Sequence, residues 1–376
     1  MKRCLIALNG FKECASGVEL STLLRQFLRE KNNDDKIEFI VKPISDGGDG
    51  FLEVVEYQFD IKIIKLKAML PFDEKRTEFL IGYSEKEKTV FIESAKIIGL
   101  NIVPPQKRNP LKLSSAGFGE ILKTLNALKN KGDVEIEKVI AGTGGTATSD
   151  LGIGALSSLG LKLFDSEGFE LKAVPEYFMS VKNIEFGNLE KISFELEFVL
   201  DVENPLFGKN GANQTFAKQK GADAKDISML EKGFENILSL LPENILEGKR
   251  LSGAGGGLAA GFEIFYNVKY KSARDFILKD LSLSGENSNF DLVISGEGKL
   301  DNQTGMQKGV QVIVDEFQSK IPVLLIAGSV ENYSASQNVK IIELRKYFSS
   351  IDESIKNYKI GLKKAADEII AQYLTD

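Results

Sequence analysis

The chain has 376 residues, of which 43% are apolar and 27% charged, with a net charge of −6 and no histidine. These values are typical of a folded globular protein of about two domains, and they exclude collagen-like, coiled-coil and disordered chains. The acidic balance argues against general nucleic-acid binding, which needs a basic face. Without histidine, Ser-His-Asp and Cys-His nucleophiles and His-ligated metals are excluded, so any catalysis uses carboxylates, amines, hydroxyls, backbone amides or an oxygen-bound cation.

The sequence predicts a cytoplasmic protein. Cys4 and Cys14 do not have the spacing of a zinc site and indicate reduced thiols. The apolar run at 4–8 is too short for a signal peptide, and no run approaches the roughly 20 residues that span a bilayer. We expect small-molecule partners, no nucleic acid and no membrane, and a monomer or homodimer.

The N-terminal segment predicts alternating strands and helices. Strands are predicted over 3–8 and 37–41. Ser16 followed by Glu19 is a capping-box pattern, so a helix is predicted to begin there. Another helical stretch, to about residue 59, follows the sequence Ser45-Asp46-Gly47-Gly48-Asp49-Gly50.

The middle of the chain has many alternating apolar runs, which predict strands and hairpins, among them a hairpin around 84–87. Strands are predicted at 61–70, 77–83, 89–93, 137–141, 161–164, 169–173 and 192–200, with helices at 114–130, 228–241 and 257–265. The C-terminal part returns to strands at 290–295, 323–327 and 339–344 and helices at 308–317 and 352–373.

Because both ends of the chain alternate between strand and helix, they predict one doubly wound α/β domain made from 1–60 and 284–376. The hairpin-rich segment 61–283 then forms an inserted α+β domain. The fold class expected is therefore two-domain α/β.

Glycines cluster between Gly142 and Asp150, after a predicted strand and before an apolar helix. Glycines let the backbone approach a ligand, and N–H groups at the start of a helix favour anions, so this loop is a candidate anion site. The loop also fits the weak dinucleotide fingerprint G-x-G-x-x-A, with Asp165 about 20 residues further on. Asp165, however, opens an Asp-Ser-Glu-Gly sequence, which a hairpin turn explains better.

Charged side chains follow other predicted strands. Asp46 and Asp49 lie among glycines after the second strand, an arrangement that suits Mg²⁺. Glu297, Lys299 and Asp301 follow the strand at 290–295, and ligands of doubly wound sheets bind beyond the carboxyl ends of the strands.

Weaker candidates are Lys12 after the first strand, the 201–208 segment with Gln219-Lys220-Gly221-Ala222, and the glycines at 253–257. The whole set consists of glycine-rich anion sites, strand-end carboxylates and loop lysines. Phosphoryl transfer needs such a set, because its transition state is stabilised by Mg²⁺, amines and backbone N–H groups. A carboxylate orients or deprotonates the attacking hydroxyl.

In these motifs the chain resembles the type I glycerate kinases along nearly its whole length. The matching segments, in chain order, are Asn9-Gly10-Phe11-Lys12 with Ala15-Ser16, Asp46-Gly47-Gly48-Asp49-Gly50, Ile92-Glu93-Ser94-Ala95 with Gly99-Leu100, 114–120, 144–150, 201–208 with Gly211-Ala212 and Gln219-Lys220-Gly221-Ala222, 253–261, and 296–301 with Gln303-Thr304. The chain departs from the family pattern at Asn9, often Asp, at Lys299, usually Arg, at Lys218, often Pro, and at Gln307, usually Gly.

The resemblance implies an ATP- and Mg²⁺-dependent kinase that converts glycerate to a phosphoglycerate, commonly the 2-phosphate. It also implies two domains, one of them flavodoxin-like, with the site in the cleft. Lys12 and Lys299 are then expected to neutralise phosphate or carboxylate, and Asp201 or Asp301 to orient the acceptor hydroxyl. The other expected roles are nucleotide binding by Gly144, Gly145, Thr146, Thr148, Gly255 and Gly256, substrate binding by Asn9, Lys220 and Gln303, and Mg²⁺ binding by Asp46, Asp49 and Glu297.

Two alternatives stay open at this point. A nicotinamide-dependent oxidoreductase would use the 142–147 loop, and it requires an acid that ends a strand beside the cofactor ribose. A non-catalytic sensor of a phosphorylated metabolite would bind its ligand without turnover.

Overall fold

The computed structural model describes residues 1–12, 14–31, 36–284, 289–301 and 309–374. Its strands are β1 (Lys2–Leu8), β2 (Ile37–Val41), β3 (Lys62–Leu70), β4 (Asp73–Ser84), β5 (Thr89–Glu93), β6 (Lys138–Gly142), β7 (Lys162–Phe164), β8 (Glu170–Leu171), β9 (Asn183–Glu185), β10 (Glu195–Leu200), β11 (Val268–Ser272), β12 (Leu292–Leu300), β13 (Val323–Val330) and β14 (Val339–Glu343).

Its α-helices are α1 (Gly17–Lys31), α2 (Phe51–Gln58), α3 (Ser94–Ile98), α4 (Ala116–Lys131), α5 (Ile153–Ser158), α6 (Ala212–Phe216), α7 (Ala224–Ser239), α8 (Glu243–Leu246), α9 (Leu258–Phe265), α10 (Ala273–Asp275), α11 (Gly309–Phe317), α12 (Ile351–Lys356) and α13 (Tyr358–Ile369). Short 3₁₀ helices lie at Leu100–Ile102, Pro105–Lys107, Pro175–Ser180, Lys218–Lys220, Ala254–Gly256 and Leu344–Tyr347, and π-helical turns at Phe276–Asp280 and Ile370–Leu374.

The chain divides into two compact units, the first formed by Met1–Phe59 with Ser272–Asp376 and the second by Asp60–Lys271. The first unit contains a five-stranded sheet in the order β14-β13-β12-β1-β2, in which every neighbouring pair is parallel. This is the flavodoxin-like order, in which the chain leaves β1 on one side and returns on the other. The α/β class expected from the sequence is confirmed.

One face of this parallel sheet is covered by helices from both ends of the chain. Leu20, Leu24 and Leu28 recur on one side of α1 and pack with Ile6 of β1 and Leu362 of α13. Apolar residues at this spacing form a continuous stripe along a helix, so their burial fixes α1 against the sheet. The capping role of Ser16 is confirmed, because its Oγ accepts a hydrogen bond from the N–H of Glu19 at 3.2 Å.

The second unit contains a six-stranded mixed sheet in the order β11-β10-β6-β5-β4-β3. Strands β5, β6 and β10 run parallel, whereas β3 and β4 form the antiparallel side that continues into the predicted β4–β5 hairpin. Phe118 of α4 packs against Phe198 and Phe262, with ring centroids 6.3 and 5.9 Å away. Aromatic contacts of this kind anchor α4 on the sheet.

Residues 272–283 belong to the first unit, whereas the sequence placed them in the inserted domain. The ring of Phe276 lies 5.1 Å from that of Phe51, and Lys42 Nζ donates hydrogen bonds to the carbonyl oxygens of Leu281 and Ser282 at 3.1 and 2.6 Å. The sequence analysis predicted no strand between the helix at 257–265 and the strand at 290–295, so it missed the partly buried β11, the last strand of the second unit.

Two other elements differ from the expectation. Strand β12 continues to Leu300 instead of ending at residue 295, since glycines let it approach its neighbour: a Cβ on Gly296 would lie 2.0 Å from the carbonyl oxygen of Ile326. The long C-terminal helix is interrupted at Asn357, whose side-chain amide donates to the carbonyl oxygen of Glu353 at 3.1 Å. Within the residues placed here, no helix has the length and apolarity needed to cross a membrane.

Candidate active site

The carboxyl edge of the parallel sheet in the first unit positions Asn9 and Lys12 after β1. The N–H of Asn9 donates to the carbonyl oxygen of Gly296 on β12 at 2.9 Å. A Cβ on Gly298 would lie 3.3 Å from the backbone nitrogen of Lys12. The loop after β1 therefore packs directly against the end of β12, and it leaves the Lys12 side chain exposed.

Asp46 and Asp49 lie on the same edge, in the turn between β2 and α2. The chain stays paired with β1 up to Ile44, whose N–H donates to the carbonyl oxygen of Leu8 at 3.1 Å. The turn then closes on itself, because Asp46 Oδ1 accepts a hydrogen bond from the N–H of Gly48 at 3.2 Å. Both carboxylates are half-buried at this strand end.

Glu297 and Lys299 lie on β12 itself, and Asp301 follows it. Lys299 Nζ forms an ion pair with Glu331 and lies 3.7 Å from Asp301 Oδ2. These contacts, chiefly the hydrogen bond with Glu331, raise the pKa of Lys299. Lys299 is therefore already paired with carboxylates, and it would exchange them to bind a phosphate.

The acids of this edge suit a magnesium ion that keeps part of its water shell. Across the described ranges there is no group of three or more acidic or cysteine side chains placed to hold a metal ion. Mg²⁺ is, however, commonly bound by one or two carboxylates together with water and phosphate oxygens, rather than by a cage of protein ligands. Asp46, Asp49 and Glu297 thus stay predicted ligands of such a shared site.

In the second unit, parallel strands end beside the glycine-rich loop. Glu93, the last residue of β5, is the register partner of Gly142, the last residue of β6. On the other side of β6, Val199 of β10 is also a partner of Gly142, and its carbonyl oxygen accepts a hydrogen bond from Thr143 Oγ1 at 2.9 Å. The loop at 143–150 is therefore held at the carboxyl edge of this sheet by strands on both sides.

This loop has unused hydrogen-bond donors. The N–H groups of Gly144, Gly145 and Thr146 donate no hydrogen bond to another residue in the described part of the chain. Thr148 Oγ1 is fully buried and likewise has no partner there. Because buried polar groups are normally paired, these donors fit an anionic oxygen as the missing acceptor.

Lys220 lies against the same loop, at the end of the 3₁₀ helix Lys218–Lys220. Its side chain is buried, with the residue only 4% exposed, and Nζ donates to the carbonyl oxygen of Thr148 at 2.7 Å and to Thr146 Oγ1 at 3.4 Å. Burial lowers the pKa of Lys220 to about 8, and the charges of Asp201 and Asp150 oppose that shift. The structure thus brings together Lys220, Thr146 and Thr148, which the sequence placed in two separate motifs.

Asp150, a residue that the sequence reasoning did not select for the site, holds the end of the loop. Its Oδ2 accepts hydrogen bonds from the N–H and Oγ of Ser115, both at 2.7 Å, and from the N–H of Gly154 at 3.2 Å. Its Oδ1 accepts one from Gly152. Burial raises the pKa of Asp150 and the hydrogen bonds oppose the shift. Asp150 therefore ties the starts of α4 and α5 to the loop. The sequence did contain a signal for this role, namely an acidic residue just before an apolar helix.

The glycines at 253–257 pack on this loop. Gly255, Gly256 and Gly257 all have positive φ angles, of 64°, 68° and 84°. The N–H of Leu151 donates to the carbonyl oxygen of Gly256 at 3.2 Å. The two glycine-rich motifs are therefore adjacent, which is consistent with one common ligand and also gives Gly256 a packing role.

Asp201 follows the end of β10 and is half-buried. The segment that it begins packs on the 252–257 turn, since the N–H of Gly253 donates to the carbonyl oxygen of Asn204 at 2.9 Å. The remaining predicted substrate residue, Gln303, lies outside the described residues, as does Gln307.

Asp165 occupies a hairpin turn, as the sequence indicated. Its Oδ1 accepts hydrogen bonds from the N–H groups of Glu167 and Phe169, both at 2.9 Å. The adjoining β7 pairs with β8 and β9 in a separate three-stranded sheet rather than with β6. A dinucleotide site on the 142–147 loop would need this acid at a strand end beside β6, so the oxidoreductase alternative does not fit.

Comparison with known proteins identifies relatives over nearly the full chain. The family model "Glycerate kinase family" matches residues 4–374. Glycerate kinase of Neisseria meningitidis serogroup B is 28% identical over 373 residues, covering 98% of this chain and 97% of the relative. Glycerate kinase of Haemophilus influenzae is 32% identical over 340 residues (88% and 86% coverage), and glycerate 2-kinase of Escherichia coli is 31% identical over 336 residues (87% and 85%).

The fold has a match among solved structures as well. The crystal structure of a putative glycerate kinase 2 from Salmonella typhimurium LT2 superposes with a TM-score of 0.73 and 27% identity, covering 100% of both chains. The sequence and the fold agree along the whole length, so the chain belongs to the glycerate kinase family and is an enzyme of the kinase class.

Proposed function

We propose that this enzyme transfers the γ-phosphoryl group of ATP to a hydroxyl of glycerate with the help of Mg²⁺, giving ADP and phosphoglycerate. The observation that carries this proposal lies in the second unit, where unused N–H donors of the 142–150 loop lie beside the buried Lys220, a group that we take as the anion site. Such donors stabilise charge that develops on phosphoryl oxygens without reorganising during the reaction.

The first unit supplies a second set of groups. Lys12 is exposed at the carboxyl edge of its sheet, where a flexible amine is free to neutralise a phosphate or a carboxylate. Asp301 in this unit and Asp201 in the other are the candidates to accept the proton of the attacking hydroxyl or to orient it. Asn9 is fixed by its backbone bond to Gly296, and it is proposed to bind the acceptor.

When bound, Mg²⁺ would offset the charge of the phosphate oxygens. The residues proposed to hold it are Asp46, Asp49 and Glu297, all on the carboxyl edge of the parallel sheet. Their oxygen donors match the preference of this hard cation.

We favour 2-phosphoglycerate as the product, and the name of the Escherichia coli relative, glycerate 2-kinase, supports that choice. Cys4 and Cys14 form no disulfide, in keeping with a reducing, cytoplasmic environment for the reaction.

The proposal is tested by ADP release from ATP and Mg²⁺ with and without D-glycerate. We expect ADP release that depends on glycerate. For Lys12→Ala or Asp301→Asn we expect a loss of about a hundredfold in kcat/KM, which is the usual effect of removing a group that stabilises charge in the transition state. Lys2→Ala is the matched control, because Lys2 is exposed at the opposite end of the same strand. Wild-type rates for Lys12→Ala and Asp301→Asn would show that these roles are wrong.

A further inference from the structure

Lys220 is a buried ammonium that has no counter-ion in contact among the described residues. Of the three N–H donors of a lysine, two are used, on the carbonyl oxygen of Thr148 and on Thr146 Oγ1. The side chain forms no ion pair with a carboxylate of the described chain. A desolvated charge costs several kcal/mol unless a partner of opposite sign compensates it, so this arrangement is incomplete by itself.

The charged side chains around Lys220 do not neutralise its charge by direct contact. Asp150, on the loop, and Asp201, after β10, act on it only from a distance. The Asp150 carboxylate is fully engaged with Ser115, Gly152 and Gly154. Arg108, whose backbone contacts Gly221, directs its guanidinium to the carbonyl oxygens of Val103 and Leu100.

The unused hydrogen-bond donors on and beside the loop are of the type that binds an anion. They are the third N–H of Lys220, the N–H groups of Gly144, Gly145 and Thr146, and the unpartnered Oγ1 of the fully buried Thr148.

We infer that the loop at 142–150 binds an anionic oxygen of the ligand together with one proton from solvent, and that Lys220 Nζ is the atom that takes up this proton. The inference rests on the proposed function and deepens it, because it assigns the ionic contact inside the site. The anionic oxygen belongs either to the acceptor carboxylate or to a nucleotide phosphate. Above about pH 8 the amine of the empty site is neutral, which removes the uncompensated charge, and the bound anion restores the ammonium.

The direction of the proton transfer on binding, and the pH range in which it occurs, follow from the pKa of Lys220 in the empty site, about 8. At pH 6.5 the amine is already protonated, so binding takes up almost no proton. At pH 8 about half of the molecules carry a neutral amine, so binding of the correct anion takes up to about half a proton. Above pH 9 the uptake approaches one proton, and affinity falls about tenfold per pH unit.

Isothermal titration calorimetry of the full chain at pH 6.5, 8 and 9, in buffers of different ionisation enthalpy, measures this uptake directly. One arm uses D-glycerate and the other Mg²⁺-ATP, so the arm that shows the uptake identifies the ligand whose oxygen contacts Lys220. We expect uptake that rises with pH in one arm. Binding in both arms with no proton uptake at pH 8 and 9 would overturn the inference, whereas no binding in either arm would refute the proposed function instead.

Two variants assign the proton to Lys220. Lys220→Arg keeps a positive charge that does not titrate in this range, so we expect binding with the uptake abolished. Lys218→Arg is the matched control, since Lys218 is exposed on the same 3₁₀ helix, and it should keep the wild-type uptake. Uptake that persists in a folded Lys220→Arg protein would contradict the assignment; if that variant does not fold, the wild-type pH series alone decides.

Discussion

Gly256 packs so tightly on Thr148 that a Cβ at Gly256 would lie 2.1 Å from the carbonyl oxygen of Thr148. The same oxygen accepts the hydrogen bond of Lys220 at 2.7 Å. Two glycine-rich segments and a buried lysine, far apart in the sequence, are therefore fixed by one peptide group. This contact joins the parts of the proposed anion site of the second unit.

Gly256→Ala is expected to destabilise the protein by more than about 3 kcal/mol, because the new Cβ meets backbone that cannot rotate away. Gly248→Ala is the matched control: Gly248 has a similar φ of 73°, but no atom lies within 4 Å of its Cβ position. That variant should lose only about 1 kcal/mol, from backbone strain. Denaturant unfolding of both measures the difference, and equal losses would show that the contact with Thr148 is not tight.

Lys220→Met should raise the stability at pH 7 while it weakens ligand binding. The lowered pKa, about 8 against 10.5 for an exposed lysine, means that the folded state resists protonation, which corresponds to a cost on the order of 3 kcal/mol below pH 8. This cost disappears as the pH rises from 8 toward 10.5, so the difference in unfolding free energy between variant and wild type should shrink over that range. Thermal melts at pH 7 and 9.5, with Lys218→Met as the control, measure it; a variant less stable than wild type at pH 7 would contradict the account.

Asp150→Ala is expected to cost more than about 3 kcal/mol, because it leaves the buried N–H groups of Ser115, Gly152 and Gly154 without an acceptor. Asp165→Ala also removes an acceptor of two backbone bonds, but on a surface turn where water replaces it, so a loss of about 1 kcal/mol is expected. Chemical denaturation compares the two. Similar losses would mean that Asp150 is not the tie between α4 and α5.

The proposed Mg²⁺ ligands predict a specific kinetic change. Asp46→Asn should raise the Mg²⁺ concentration for half-maximal activity about tenfold, since one carboxylate of a shared site is lost. Asp60→Asn, at an exposed acid beyond α2, should leave it unchanged. Activity measured over a Mg²⁺ titration tests this, and an unaltered requirement in Asp46→Asn would remove Asp46 from the metal site.

Local sequence patterns predicted the features that depend on neighbouring residues well. The cap at Ser16, the β4–β5 hairpin and the turn at Asp165 each depend on neighbouring residues, so a short stretch of sequence specifies them. The length of β12 and the contact of Gly256 with Thr148 depend on distant backbone, which no local pattern encodes. Asp150 was overlooked for the same reason, because its main partner, Ser115, precedes it by a whole helix and strand.

Phosphorus NMR of a mixture of the protein, ATP, Mg²⁺ and D-glycerate tests the central claim most directly. We predict loss of the γ-phosphate signal, formation of ADP, and a new phosphomonoester signal split into a doublet by the single proton on carbon 2. A triplet would place the phosphate on carbon 3 and contradict the preferred product. ATP left intact in the presence of glycerate, or hydrolysed only to inorganic phosphate, would contradict glycerate phosphorylation itself.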